Sequence, residues 1–168
     1  MENISWINDL VKAEQQMEET GLVDMSFVYD PDRVVVEQSI QFLLQLKADF
    51  VEAANTFNEQ KPSAMGRIKI YGIAKTHADF MLFRNGFKMI FSLKKPGQLS
   101  VRFNFIGTQF IPQANESTAN VTNMADEQII EAQIGPFGDV NWTFQNQTFK
   151  IENMVRYYLT MFLKESAK

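Results

Sequence analysis

The chain has 168 residues, 45% hydrophobic and 21% charged, with a net charge of −4, a balance that predicts one globular domain able to bury a real core. Cysteine is absent, which excludes disulfides, thiolate nucleophiles and cysteine metal sites together. No apolar run approaches the ~20 residues of a membrane span, and Met1-Glu2-Asn3-Ile4-Ser5-Trp6 lacks a basic stretch leading into a long apolar one, so a cytoplasmic protein without a signal peptide is expected.

Residues 4 to about 18 predict an amphipathic helix. Ile7, Leu10, Val11 and Met17 recur at helical spacing, Glu14, Glu18 and Glu19 are assigned to its wet side, and Gly21 ends it. Met25, Phe27 and Tyr29 alternate with Ser26 and Val28 as in a short strand. Asp30-Pro31 suits a helix start, because an aspartate accepts backbone hydrogen bonds as a cap and proline fits the first helical position. From there to about Asn58, Val36, Ile40, Leu43, Phe50, Val51, Ala54 and Phe57 recur at intervals of three and four, predicting a long helix laid across a sheet. Lys61 to Gly66 is a linker by composition. Arg67 to Ile73 then alternates as a strand, with Ile68 and Ile70 on one side and Arg67, Lys69 and Tyr71 on the other.

Phe80 to Phe105 carries the strongest signal, a three-stranded antiparallel meander. Asn85-Gly86 tolerates the two positive φ angles of a type I′ turn. That turn sets Arg84 opposite Phe87, Leu82 opposite Met89 and Phe80 opposite Phe91. One face then carries Phe80, Leu82, Phe87, Met89, Phe91 and Leu93, continued by Leu99, Val101, Phe103 and Phe105. Burial stabilises such a row by roughly 1.5–3 kcal/mol per side chain, and a one-residue slip would turn all of it toward water. Keeping Leu93 opposite Leu99 demands an odd-length connection of three or five residues, with Gly97 at positive φ. Gln113 to Asn123 is polar and reads as a long loop. A second hairpin pairs Ile130, Ala132 and Ile134 with Val140, Trp142 and Phe144, and Ile151 to Leu163 gives a closing amphipathic helix. The expected fold is therefore α+β, a single domain in which an antiparallel sheet of about five to seven strands packs against two N-terminal helices and one C-terminal helix.

Net charge conceals a segregation. Between Lys61 and Arg102 nine basic residues face one acid, giving +8, and the remainder carries −12. The far face of the meander presents Met81, Phe83, Lys88, Ile90, Ser92, Ser100, Arg102 and Asn104, with Arg67, Lys69 and Tyr71 from the preceding strand. Basic residues among apolar ones point to a binding face, whose partner contacts would be Arg67, Lys69, Tyr71, Lys88 and Arg102 and whose partner would be acidic, either another protein or a second copy in a homodimer. The chain's overall acidity argues against nucleic acid.

Catalysis has little to build on. His77, the single histidine, stands two residues from Asp79, a pairing that strand geometry permits. No Gly-x-Ser-x-Gly nucleophile setting and no phosphate-binding glycine loop is present, and Asp24, Asp30 and Asp32 lack the spacing of a calcium loop. No cofactor or metal is expected, and a non-catalytic role is.

Fifteen Phe and nine Met imply a bulky core or an interior that adapts to a ligand. A short strand, a helical region, about six antiparallel strands and a C-terminal amphipathic helix are similar in order to the helix-grip proteins of the lipid-transfer and pollen-allergen type. That resemblance implies a hydrophobic cavity closed by the last helix and lined by Phe87, Met89, Phe91, Phe103, Phe105, Met154, Tyr158 and Phe162.

Overall fold

The computed structural model describes residues 4–22, 31–74, 76, 78–105 and 127–167. They form α1 (Ser5–Thr20), α2 (Pro31–Gln60), β1 (Lys69–Gly72), β2 (Phe80–Arg84), β3 (Phe87–Lys95), β4 (Gln98–Phe105), β5 (Gln128–Ile134), β6 (Val140–Phe144), β7 (Gln147–Thr148) and α3 (Ile151–Ser166). The class is α+β, as the sequence predicts. The strand expected at Met25 to Tyr29 and the loop expected at Gln113 to Asn123 lie outside the described residues, as do Asp30 and His77. The chain divides into two compact units, Met1–Val34 and Val35–Lys168.

In the first unit, α1 ends where expected. Gly21 takes a left-handed φ of 69° and its N–H returns to the Met17 carbonyl at 2.9 Å, the C-terminal cap that glycine reaches without a Cβ penalty. Ala13 is the one buried residue of this helix, whereas Trp6, Ile7, Leu10 and Val11 are all exposed.

The second unit is built on a seven-stranded sheet whose spatial order follows the chain from β1 to β7, every neighbour antiparallel. The β2–β3 register is the expected one, Arg84 opposite Phe87 through Phe80 opposite Phe91. Its turn has φ of 52° at Asn85 and 78° at Gly86. Between β3 and β4, Leu93 does face Leu99 and Phe91 faces Val101, but Lys95 also pairs Gln98. The odd parity thus comes from a tight Pro96-Gly97 turn combined with a one-residue bulge at Lys94, rather than from an open loop. A bulge absorbs one residue without moving the buried row to the other face. Gly97 has φ 79°, and its N–H donates to Ser39 Oγ at 2.8 Å.

The β5–β6 register matches the expected pairs, Ile130 with Phe144, Ala132 with Trp142 and Ile134 with Val140. Gln145 and Asn146, with φ of 51° and 63°, then turn the chain into β7, a strand the sequence analysis did not anticipate.

Helices α2 and α3 both pack on the inward row. α2 crosses the sheet: Phe42 stacks on Trp142 of β6 with ring centroids 4.5 Å apart, and Phe50 meets Phe91 at 4.9 Å and Phe80 at 6.0 Å. At its far end Asn58 brackets the Ile68 backbone, donating to its carbonyl and accepting its N–H, both at 2.9 Å. The buried line of α2 is Ser39, Leu43, Leu46, Phe50 and Ala54; Val36 and Val51, expected on that line, are exposed. α3 brings Phe162 to Phe87 at 5.6 Å and Tyr158 edge-on to Phe91 at 5.8 Å. Phe50, Phe80, Leu82, Met89, Phe91 and Phe162 have no accessible surface, so this core is a close-packed solid.

Candidate functional site

α2 and α3 pack on one side of the sheet, and the register determines what the other side shows. Lys69 faces Phe83 and Phe83 faces Lys88, so the three stand in one row across β1, β2 and β3, with Asn104 of β4 next. The neighbouring row runs Tyr71, Met81, Ile90 and Arg102. Met81, Phe83, Lys88 and Ile90 are half-buried, while Arg67, Lys69, Tyr71, Arg102 and Asn104 are exposed. Because β1 is an edge strand, its Lys69 and Tyr71 border solvent on two sides.

At the β1 end this face is concave. Ala64, Gly66, Arg67, Lys69, Phe83, Arg84 and Asn85 line a depression of about 260 Å³. Its floor is fixed by Gly66 at φ 74°, whose carbonyl accepts from Arg84 Nε at 2.6 Å and Lys61 Nζ at 3.2 Å. A Cβ on Gly66 would stand 2.7 Å from Lys61 Nζ, so glycine, which also reaches this positive φ without strain, leaves room for the Lys61 ammonium. Both cations also lie over the Phe57 ring, at 5.7 Å for Lys61 and 5.6 Å for Arg84.

At the β4 end the basic residues are already engaged. Glu127 lies 3.6 Å from Lys94 and 3.6 Å from Arg102 and accepts from Ser100 Oγ at 2.6 Å. The Ser100 hydroxyl, and to a lesser extent the two cations, hold the Glu127 carboxyl below its ordinary value against the opposing effect of partial burial. Of the five residues expected at a partner surface, Arg67 and Lys69 share the depression, Lys88 completes the row through Phe83 and Tyr71 stands in the neighbouring row opposite Met81. Arg102 stands apart, tied to Glu127. Arg67, Lys69 and Lys88 have no ion-pair partner among the described residues.

The residues expected to line an apolar cavity are dispersed. Phe87, Met89, Phe91 and Phe162 belong to the packed core, Phe103 is half-buried beside Tyr158 at 6.4 Å, and the Phe105 side chain lies outside the described residues. Met154 and Tyr158 do line a cavity, of about 310 Å³, together with Ile130, Phe144, Phe149, Asn153 and Tyr157. The last five were missed because the cavity is made by the start of α3 meeting β5 and β6, a junction with no local sequence signature. Tyr158 donates to Gln128 Oε1 at 2.6 Å, and burial first, then neighbouring Tyr157, pushes its phenol well above the ordinary value.

Asp79, one half of the conceivable acid–base pair, accepts the Leu93 N–H at 3.0 Å, and its own carbonyl accepts from Ile73 N at 3.0 Å. It thus holds together the strand ends where β3 runs past β2. Among the described residues no cluster of three or more acidic or histidine side chains could hold a metal ion, and no helix is long and apolar enough to cross a membrane. Comparison with protein families, with curated proteins and with solved structures finds no match.

Proposed function

We propose that this protein is a non-catalytic interaction module, whose outward sheet face over β1 to β3 binds an acidic protein surface, a second copy of the chain included. The observation that carries the reading is the row Lys69, Phe83, Lys88. Two lysines without ion-pair partners among the described residues flank a half-buried ring, next to a concavity that Arg67 also lines. Half-buried apolar groups supply area to be desolvated, and the cations select acidic partners and repel basic ones. The test is fluorescence anisotropy of a labelled amphipathic peptide of alternating Leu and Glu content. The expected result is binding that weakens steeply between low salt and about 0.5 M salt and is lost in Lys69→Glu/Lys88→Glu. Salt-independent binding, or binding unchanged in that variant, contradicts the reading.

The cavity beside α3 favours a second reading, a site for a small apolar molecule. Its volume lies at the lower end of the range for ligand pockets, roughly 300–1,000 Å³, and Asn153 supplies a polar group to orient a bound molecule. Native mass spectrometry that finds an apolar molecule retained by the purified chain, and lost in Met154→Trp, supports it; an empty chain does not.

A further inference from the structure

We infer that the occupant of the outward sheet face is helix α1 of a second copy, in a reciprocal pair where each chain gives one helix and receives one. The inference rests on the interaction reading above and names its partner. It begins from the side chains that α1 leaves exposed. Trp6 and Leu10 are one helical turn apart, as are Ile7 and Val11, so the four form one contiguous apolar patch. Glu14 follows Leu10 by four residues and Glu18 follows Glu14 by four. The two carboxylates therefore prolong the patch along its own face instead of lying wholly on the opposite, wet side, as the sequence analysis placed them. Over the roughly 18 Å from Trp6 to Glu18, this face changes from apolar to acidic.

The sheet offers the complement. Met81 and Ile90 in one row and Phe83 in the next form its apolar centre, with Lys69 and Lys88 flanking Phe83 in that second row. Three strands at about 4.8 Å spacing present a strip about 10 Å wide, matching the diameter of a helix, roughly 10–12 Å with side chains. Charge agrees in sign: α1 carries Asp9, Glu14, Glu18 and Glu19 against Lys12, and Arg67, Lys69 and Lys88 have no ion-pair partner among the described residues. The same acidity disfavours an anionic lipid surface, which attracts helices with basic polar faces. A reciprocal exchange is also closed. Two copies related by a two-fold axis satisfy both helices and both faces, leaving no free end to propagate a filament.

A charge-swap experiment on the full chain tests this. Glu14→Lys/Glu18→Lys opposes lysines to lysines in its homodimer, and Lys69→Glu/Lys88→Glu opposes glutamates to glutamates. Each variant alone is expected to dimerise at least about tenfold more weakly than the wild type in sedimentation equilibrium. A mixture of the two is expected to regain wild-type affinity, since both contacts in the mixed dimer join opposite charges. Trp6 emission should shift to shorter wavelength as the wild-type concentration rises. Circular dichroism and urea unfolding of both variants confirm that the substitutions leave the fold intact.

A wild-type chain that stays monomeric up to about 100 μM, a dimer indifferent to Glu14→Lys/Glu18→Lys, or a mixture that does not re-associate overturns the inference. None of these outcomes alters the peptide-binding result, which judges the interaction reading separately.

Discussion

Arg84 Nη1 donates to Ser166 Oγ at 2.9 Å across 82 residues of sequence, joining the β2–β3 turn to the last turn of α3. The same guanidinium reaches the Leu163 carbonyl at 3.3 Å and the Gly66 carbonyl at 2.6 Å, and Asn85 Nδ2 donates to the Ser166 carbonyl at 2.9 Å. The turn therefore caps the helix, placing a cation where backbone carbonyls lack partners and the helix dipole is negative. Arg84→Met removes the cation and its three hydrogen bonds, leaving the Gly66 carbonyl to Lys61 and the Leu163 carbonyl to the Ala167 N–H, at an expected cost of about 1–3 kcal/mol. Ser166→Ala deletes one bond and is expected to cost about 1 kcal/mol. Urea unfolding checks both as lower midpoints at unchanged slope; a midpoint unmoved in Arg84→Met refutes the capping role.

Ser39 links α2 to the β3–β4 turn. Its Oγ donates to the Val35 carbonyl at 2.6 Å and accepts the Gly97 N–H at 2.8 Å, while it is 1% exposed. Ser39→Ala leaves that N–H unsatisfied, an expected loss of about 1–3 kcal/mol. Gly97→Ala meets two obstacles, the φ of 79° and a new Cβ 3.2 Å from Val35 Cγ1, so a loss of at least about 1 kcal/mol is expected. Thermal unfolding should rank both below wild type.

Phe91 is central to the core. It stacks on Phe80 at 4.9 Å and 13° and also touches Phe50 and Tyr158. Phe91→Ala is expected to cost about 3–5 kcal/mol, enough to leave a marginal domain largely unfolded. Tyr71→Ala, on the exposed edge strand, should change stability by less than about 0.5 kcal/mol. Equal effects of the two would deny that the inward row is the core.

Two groups give the unfolding free energy a defined pH dependence. The Glu127 carboxyl is held low in the folded chain, so its contribution is present above the ordinary carboxylate value and is lost as pH falls through the lowered folded value. Glu127→Gln should flatten that acid limb. The Tyr158 phenol is pushed up, so its contribution is complete below the ordinary phenol value and declines as pH rises past it, because the unfolded chain ionises first. Tyr158→Phe should flatten the alkaline limb. Urea titrations across both ranges check the two signs.

Much of the sheet was legible because its signals are local. Asn85-Gly86 fixes a turn, and the alternation from Phe80 to Phe103 fixes which face is buried. The parity between Leu93 and Leu99 was readable too, although the bulge at Lys94 that achieves it was not. β7 escaped because two residues show no alternation and Gln145-Asn146 reaches positive φ without glycine. The inward role of Arg84, the bond from Ser39 to Gly97 and the tie of Arg102 to Glu127 each depend on partners distant in the chain, and periodicity carries no information about them. On the outward face the register placed Lys69, Tyr71, Lys88 and Arg102 together. What it could not show was that Glu127 would claim Arg102 while Arg67 and Lys69 share a concavity.

The most direct test of the outward face is an amide-resolved NMR titration of the labelled chain with the same Leu/Glu peptide. Binding there predicts shifts concentrated at Lys69, Tyr71, Phe83, Lys88 and Ile90, abolished in Lys69→Glu/Lys88→Glu. Shifts gathered instead at Asn153, Tyr157 and Phe149, or scattered without a focus, would contradict it.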